Sequence, residues 1–376
     1  DDGWFGQRND DHAGLGDWVA NPERLPNGIK GLSERIEAMG IKFGLWFEPE
    51  MTNKDSDLYR AHPDWILHTP GRNASHGRYQ YVLDFSRKEV VEYIYEMMAK
   101  ILSEAKVSYI KWDMNRSITE CYSVALPADR QGEVFHRYIL GVYDLYERLT
   151  SEFPEVLFES CSSGGGRFDP GMLYYAPQGW TSDDSDAIER LKIQYGTSLC
   201  YPISSMGSHV SVIPNHQVFR KTPLHTRANV AYFGTFGYEL DLNSLKEEEI
   251  AEVKEQIIFM KKYRKLFQFG DFYRLKSPFE GNETIWMVVS EDKKTAIVGY
   301  YRTLNGVNQA YSRIKLQGLD PDMLYENILN KTENYGDELM NFGLITTDVT
   351  AGEVPGDATP CTDFESRIYI LKAKEK

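Results

Sequence analysis

Tyr109-Ile110-Lys111-Trp112-Asp113-Met114-Asn115-Arg116 decides how this chain is read. Apolar residues run into the stretch, charged residues close it, and a helix-like segment precedes it. A parallel strand reads this way when its C-terminal tip carries chemistry. Side chains alternate faces along a strand, so Lys111 and Asp113 share one face and Trp112 takes the other. A lysine beside a carboxylate favours the ionised form, and an ionised, oriented Asp suits a nucleophile. A lone Lys-x-Asp is more often a paired strand end, so the rest of the chain has to shift that balance.

Outward from this stretch, strands and helices alternate. Ile29–Met39 is amphipathic and ends at Gly40. Ile41–Phe47 reads as a strand closing on Glu48-Pro49-Glu50, with Trp46, Glu48 and Glu50 in one parity. Arg78–Asp84 reads as the next strand, and Ser86-Arg87-Lys88-Glu89 as a capping box opening a helix to Ala105. Val134–Ser151 is a helix and Val156–Cys161 a strand ending in a glycine-rich loop. Gln178–Asp186 is a strand tip before a helix over Ala187–Gly196. Leu199–Val210 and Ala228–Leu242 supply two short strands, and Ser244-Leu245-Lys246-Glu247 is expected to cap a helix to Phe267. Counting Asp1-Asp2-Gly3-Trp4-Phe5 as the end of a strand whose body lies upstream, there are eight strand slots. The fold class expected is therefore α/β, a (β/α)8 TIM barrel with its first strand truncated, over residues 1–270. After Gly270 the pattern becomes short strands and polar turns: Glu283–Ser290, Thr295–Tyr301, Tyr311–Leu316 and Arg367–Leu371. Residues 271–376 are expected to form a C-terminal antiparallel β-sandwich.

The composition is that of an ordinary soluble globular protein: 376 residues, 41% hydrophobic and 26% charged. A net charge of −14 argues against nucleic acid or an anionic membrane as partner. No stretch reaches membrane-spanning length. The four cysteines, Cys121, Cys161, Cys200 and Cys361, form no metal-type spacing, so neither a metal nor another cofactor is expected and a reducing, cytoplasmic compartment fits. The chain starts without Met and reads as a piece of a longer protein.

Active sites of such barrels lie at the C-terminal strand ends. There the chain places Asp1 and Asp2; Trp46, Glu48 and Glu50; Arg78 and Asp84; Lys111 and Asp113; Glu159 and Cys161; and Asp183, Asp184 and Asp186. Carboxylates that accept from hydroxyls, with indole faces for C–H surfaces, suit a neutral polyol. Two carboxylates from different strands can flank a glycosidic bond, and a separation of about 5–5.5 Å would mean retention of configuration. No histidine–carboxylate cluster has metal-ligand spacing, and a P-loop and a Gly-x-Ser-x-Gly elbow are missing from the sequence. Parity alone does not choose between Asp183 and Asp184. Asp184 and Asp186 also read as caps of the following helix, Cys161 as a small buried hydrophobe, and Glu48, Glu50 and Glu159 as groups behind the contact layer.

Five motifs occur in one order: Asp1-Asp2-Gly3-Trp4-Phe5, Gly44–Met51, Lys111–Arg116, Glu159–Asp169 and Thr181–Asp186. Together they closely resemble bacterial α-galactosidases of glycoside hydrolase family 36, over nearly the whole chain. That resemblance implies a retaining exo-α-galactosidase acting on melibiose, raffinose-type oligosaccharides and galactomannan side chains, with Asp113 as nucleophile and Asp183 as general acid/base. It implies Asp1 and Asp2 for the galactose 4- and 6-hydroxyls, Trp46 for the wall near carbon 6, and Lys111 and Arg78 as cations on hydroxyls. Cys161 and Gly164 fall beside the 2-hydroxyl. Family members carry an N-terminal β-sandwich that is missing here, and tetrameric members use a neighbour's copy at the substrate entrance, so a homo-oligomeric parent is implied. The alternatives are a raffinose- or stachyose-synthase-like galactosyl transfer, α-N-acetylgalactosaminidase activity, and an inactive galactoside-binding fragment.

Overall fold

The computed structural model describes residues 2–307, 312–346 and 363–374. The chain divides into two compact units, Asp1–Trp180 and Thr181–Lys376. In the first, the order is α1 (Gly28–Ala38), β1 (Phe43–Phe47), β2 (Met51–Asn53), α2 (Asp57–Ala61), β3 (Gln80–Val82), α3 (Lys88–Glu104), β4 (Val107–Trp112), α4 (Val134–Glu152), β5 (Leu157–Ser160), α5 (Pro170–Tyr175) and β6 (Gln178–Gly179).

Four of these strands form a parallel sheet in the order β1-β4-β5-β6. The register sets Trp46 beside Lys111 and Lys111 beside Glu159, so the strand tips end level. The helices between them bury one face each. In α3 this face is Val90, Val91, Ile94, Met98, Ile101 and Leu102; in α4 it is Val134, Tyr138, Val142, Leu145, Tyr146 and Leu149. Three- and four-residue spacing draws an apolar stripe down a helix, and the core between sheet and helices is built from these stripes.

Two expectations fail in this unit. The strand foreseen over Arg78–Asp84 shrinks to β3, which pairs antiparallel with β2 and takes no part in the parallel sheet. Arg78 and Tyr79 have φ of 51° and 59°, a left-handed conformation that ends an extended run. The capping box at Ser86 does not form either. The Ser86 backbone amide and hydroxyl both donate to Asp84 Oδ1, and Arg87 stands at the helix N-cap.

The second unit begins α6 (Ala187–Thr197), β7 (Gly207–Ser211), α7 (Leu224–Ala231), β8 (Thr235–Glu239) and α8 (Glu247–Phe269). β7 and β8 are parallel, with Gly207 opposite Thr235. The strands foreseen over Leu199–Val210 and Ala228–Leu242 are thus shorter, and α7 takes the residues up to Ala231. Ser244 does not cap α8: it ends a short 3-10 turn, and Glu249 accepts from the Lys246 backbone amide instead.

The strands β9 (Asp271–Lys276), β10 (Glu283–Val289), β11 (Thr295–Arg302), β12 (Arg313–Ile314), β13 (Leu324–Asn327), β14 (Glu333–Tyr335), β15 (Leu344–Ile345) and β16 (Glu365–Ala373) follow, with helix α9 (Gly336–Asn341) between β14 and β15. Six of them form an antiparallel sheet in the order β14-β13-β16-β11-β10-β9, and β12 pairs with β15. Ile285, Met287, Val298, Tyr300 and Tyr369 from the large sheet pack with Ile314 and Leu344 from the small pair. That two-layer packing is the expected sandwich. Tyr311, foreseen as a strand start, lies outside the described residues. Among the described residues no helix is long and apolar enough to cross a membrane.

Candidate active site

Asp113 follows β4 directly, and its backbone amide donates to Phe47 O at 2.8 Å, which carries the ladder one step past the strand. Its carboxylate is almost fully buried. Oδ2 accepts from Trp46 Nε1 at 3.3 Å and from Asn115 Nδ2 at 2.8 Å; Oδ1 accepts from the Met114 amide at 2.8 Å. Three N–H donors stabilise a carboxylate and fix its direction. On the opposite face Trp112 is fully buried, stacks on Tyr146 at 4.0 Å and donates from Nε1 to Glu50. The expected alternation of faces holds.

Lys111 sits with its Nζ 5.3 Å from the Trp180 ring centroid, within reach of a cation–π attraction. Cys161 follows β5, and its amide donates to Trp112 O at 2.7 Å. Burial, then the Asp113 charge, push the Cys161 thiol far upward, against an opposing pull from Lys111. Cys161 is therefore a neutral S–H donor turned to Asp113. The loop beyond it makes a tight left-handed turn, with φ of 48° at Ser163 and 82° at Gly164; the second position favours glycine.

Behind this layer lie two fully buried carboxylates. Glu50 accepts both terminal nitrogens of Arg167, at 2.9 and 2.8 Å, together with Trp112 Nε1 and the Tyr138 hydroxyl. Glu48 has no such cation. Its Oε1 accepts from the Asn115 amide at 2.5 Å and its Oε2 from Gln80 Nε2 at 3.1 Å. Burial and the neighbouring Asp113 push Glu48 up to about 8, while the Asn115 hydrogen bond and the Arg78 charge pull the other way. Arg78 itself is exposed.

Asp2 is exposed, and the buried Arg8 grips it with Nε and Nη2 at 3.0 Å each. Arg8 is anchored in turn on Ala13 O and Asn53 Oδ1. The sequence reading missed Arg8; a lone arginine six residues after an Asp pair gave no signal. Asp1 lies outside the described residues. Asp10, Asp11 and His12 bring three possible ligand atoms within 4.8 Å of one another on a loop, but all three residues are exposed.

In the second unit, Asp183 is exposed, and its backbone carbonyl accepts from Gln217 Nε2 at 3.4 Å. The buried Arg190 holds the preceding residues by Thr181 Oγ1 and Ser182 O. Asp184 accepts from the Asp186 amide, and Asp186 caps α6 by accepting from Ile188 N and Glu189 N. Asp186 thus caps the helix as its spacing suggested, while Asp184 bonds the amide of the cap residue and not a helical one.

The melibiase family model matches residues 1–270, and the glycosyl hydrolase family 36 C-terminal domain model matches residues 283–371. The chain belongs to glycoside hydrolase family 36. Alpha-galactosidase AgaA of Geobacillus stearothermophilus is 56% identical over 378 residues, covering 100% of this chain and 50% of AgaA. Alpha-galactosidase Mel36A of Lactobacillus acidophilus is 48% identical, over 99% of this chain and 49% of Mel36A. Among solved family 36 structures, a variant of AgaA in complex with raffinose superposes with a TM-score of 0.93 at 52% identity, covering 99% of this chain and 50% of that one. The α-galactosidase of Lactobacillus brevis gives 0.95 at 50% identity, covering 100% and 50%. The chain spans about half the length of the curated relatives it matches. The fold class follows from these family 36 neighbours: a (β/α)8 TIM barrel followed by an antiparallel β-sandwich.

Proposed function

We propose that this chain carries the chemistry of a retaining exo-α-galactosidase that removes terminal α-galactosyl residues from melibiose and raffinose-family oligosaccharides. The observation that carries the reading is Asp113, a buried carboxylate directly after a parallel strand and aimed by Trp46, Asn115 and the Met114 amide. Family membership supports the substrate class, since AgaA variants were crystallised with raffinose and with stachyose.

In this reading Asp113 attacks the anomeric carbon, forming a galactosyl ester as the glycosidic C–O bond breaks. Asp183 gives its proton to the leaving oxygen. Asp183 then takes a proton from water, whose oxygen attacks the same carbon and releases Asp113. Two inversions retain the configuration. Asp1 and Asp2 accept from the 4- and 6-hydroxyls, Trp46 walls the ring near carbon 6, and Lys111 and Arg78 donate to hydroxyls. Cys161 and the Gly164 turn sit beside the 2-hydroxyl, where their small bulk supports α-galactosides over 2-acetamido sugars.

The two family-model matches support a domain division into a catalytic barrel, 1–270, and a C-terminal domain, 271–376. The free thiols of Cys121, Cys161 and Cys200 support a cytoplasmic setting. The parent protein is proposed to be a homo-oligomer, on the resemblance to tetrameric family members.

The test is turnover of p-nitrophenyl α-galactoside by the protein and by Asp113→Ala, with the anomer of the first product read by NMR. The expected result is an α-anomer and a kcat lowered on the order of 10⁴-fold or more in the variant. Near-normal turnover by Asp113→Ala would sink the assignment.

A further inference from the structure

Resting on the reading of Asp113 as the nucleophile, we infer that Glu48 is its positioning residue and works as a neutral carboxylic acid. It holds the loop that aims Asp113 without setting a second charge against it.

The positioning path is short. Glu48 Oε1 accepts the Asn115 backbone amide at 2.5 Å, and the side-chain amide of the same Asn115 donates to Asp113 Oδ2 at 2.8 Å. One fully buried acceptor therefore fixes the residue that points the nucleophile. Glu48 also directly follows β1, whose Trp46 supplies another Asp113 donor. Movement of Glu48 would disturb both donors.

The neutral form follows from what surrounds it. The groups facing Glu48 are Asp113 beyond β4, the exposed Arg78 before β3, the Asn115 amide and the Gln80 side chain. Arg116 reaches the Gln80 carbonyl rather than Glu48. Glu48 thus has only neutral N–H donors, from the backbone and side chain of Asn115 and from Gln80, with one carboxylate neighbour and one solvent-facing cation. Burial without a bonded cation disfavours the ionised form, and the balance puts Glu48 at about 8. A proton on Glu48 also finds an acceptor. Gln80 Oε1 is buried with no hydrogen-bond partner, and it belongs to the amide that already touches Glu48; half a turn of that amide presents the oxygen to the acid.

The experiment is infrared difference spectroscopy of the full chain with Glu48→Gln, joined to kinetics of Glu48→Gln and Glu48→Ala. At neutral pH the parent should show a carboxylic C=O stretch that shifts in D2O, vanishes in Glu48→Gln, and bleaches as pH passes about 8. Glu48→Gln keeps an acceptor for Asn115 and should lose at most about 3-fold in kcat. Glu48→Ala should lose up to about 10²-fold, with KM little moved, as expected for misplacing a reacting group. No Glu48-dependent band at neutral pH overturns the inference, and so does a Glu48→Gln loss as deep as that of Glu48→Ala. If Glu48→Ala fails to fold, the band and the Glu48→Gln kinetics decide. If the parent hydrolyses no α-galactoside, the functional reading falls, and the band alone decides the state of Glu48.

Discussion

Glu48 and Glu50 stand two residues apart at the same strand tip, both fully buried, and their surroundings give them opposite characters. Glu50 meets a bidentate guanidinium, an indole and a phenol. Glu48 meets the amides of Asn115 and Gln80 and a neighbouring carboxylate. Arg167 shows the other side of the bargain: burial pulls its proton off, Glu50 holds it on more firmly, and the net shift is upward. How a buried carboxylate is held thus depends on its partners and not on burial alone.

The sharpest way to break this contrast is Arg167→Met. It leaves Glu50 buried without its cation, and removing one partner of a buried pair costs about 3–5 kcal/mol. Urea unfolding should show that loss; a change under about 1 kcal/mol would mean that the Arg167 pair does not hold Glu50 in the fold. The next effect concerns pH. Glu48 rises from an unfolded value of 4.5 to about 8 in the fold, so the folded state binds the extra proton between those values. Stability from this group is full below 4.5 and falls as pH climbs toward 8, by about 1.4 kcal/mol per pH unit. Glu48→Gln should flatten that slope in unfolding curves taken across the window. An unchanged slope would assign it to other groups. The smallest effect expected is Tyr138→Phe. Glu50 keeps Arg167 and Trp112, so the loss should be about 1–2 kcal/mol, read as a modest drop in melting temperature.

The sequence was legible where information is local. The tip motif placed Asp113 after a strand with Trp112 on the other face, and the structure agrees. Helices α3, α4 and α6 lie close to their apolar stripes. The role of Asp186 as a helix cap also came from spacing. Pairing was not legible. Residues 78–84 carry strand propensity, but propensity does not say which neighbour a strand takes, and β3 turned to β2. Nor did local sequence reveal that Ser86 would spend its hydroxyl on Asp84. Partners far along the chain were equally hidden: Arg167 is 117 residues from Glu50, and Asn53 is 45 from Arg8. Those contacts hold each buried group in place, and only the assembled fold supplies them.

The neutral thiol of Cys161 also sets how the molecule ages. Peroxides and alkylating reagents attack the thiolate, and Cys161 is both shielded and held in the protonated form. The exposed Cys200 stands open to the same reagents. Oxidants and alkylating labels should therefore take Cys200 before Cys161 and leave the residue beside Asp113 intact.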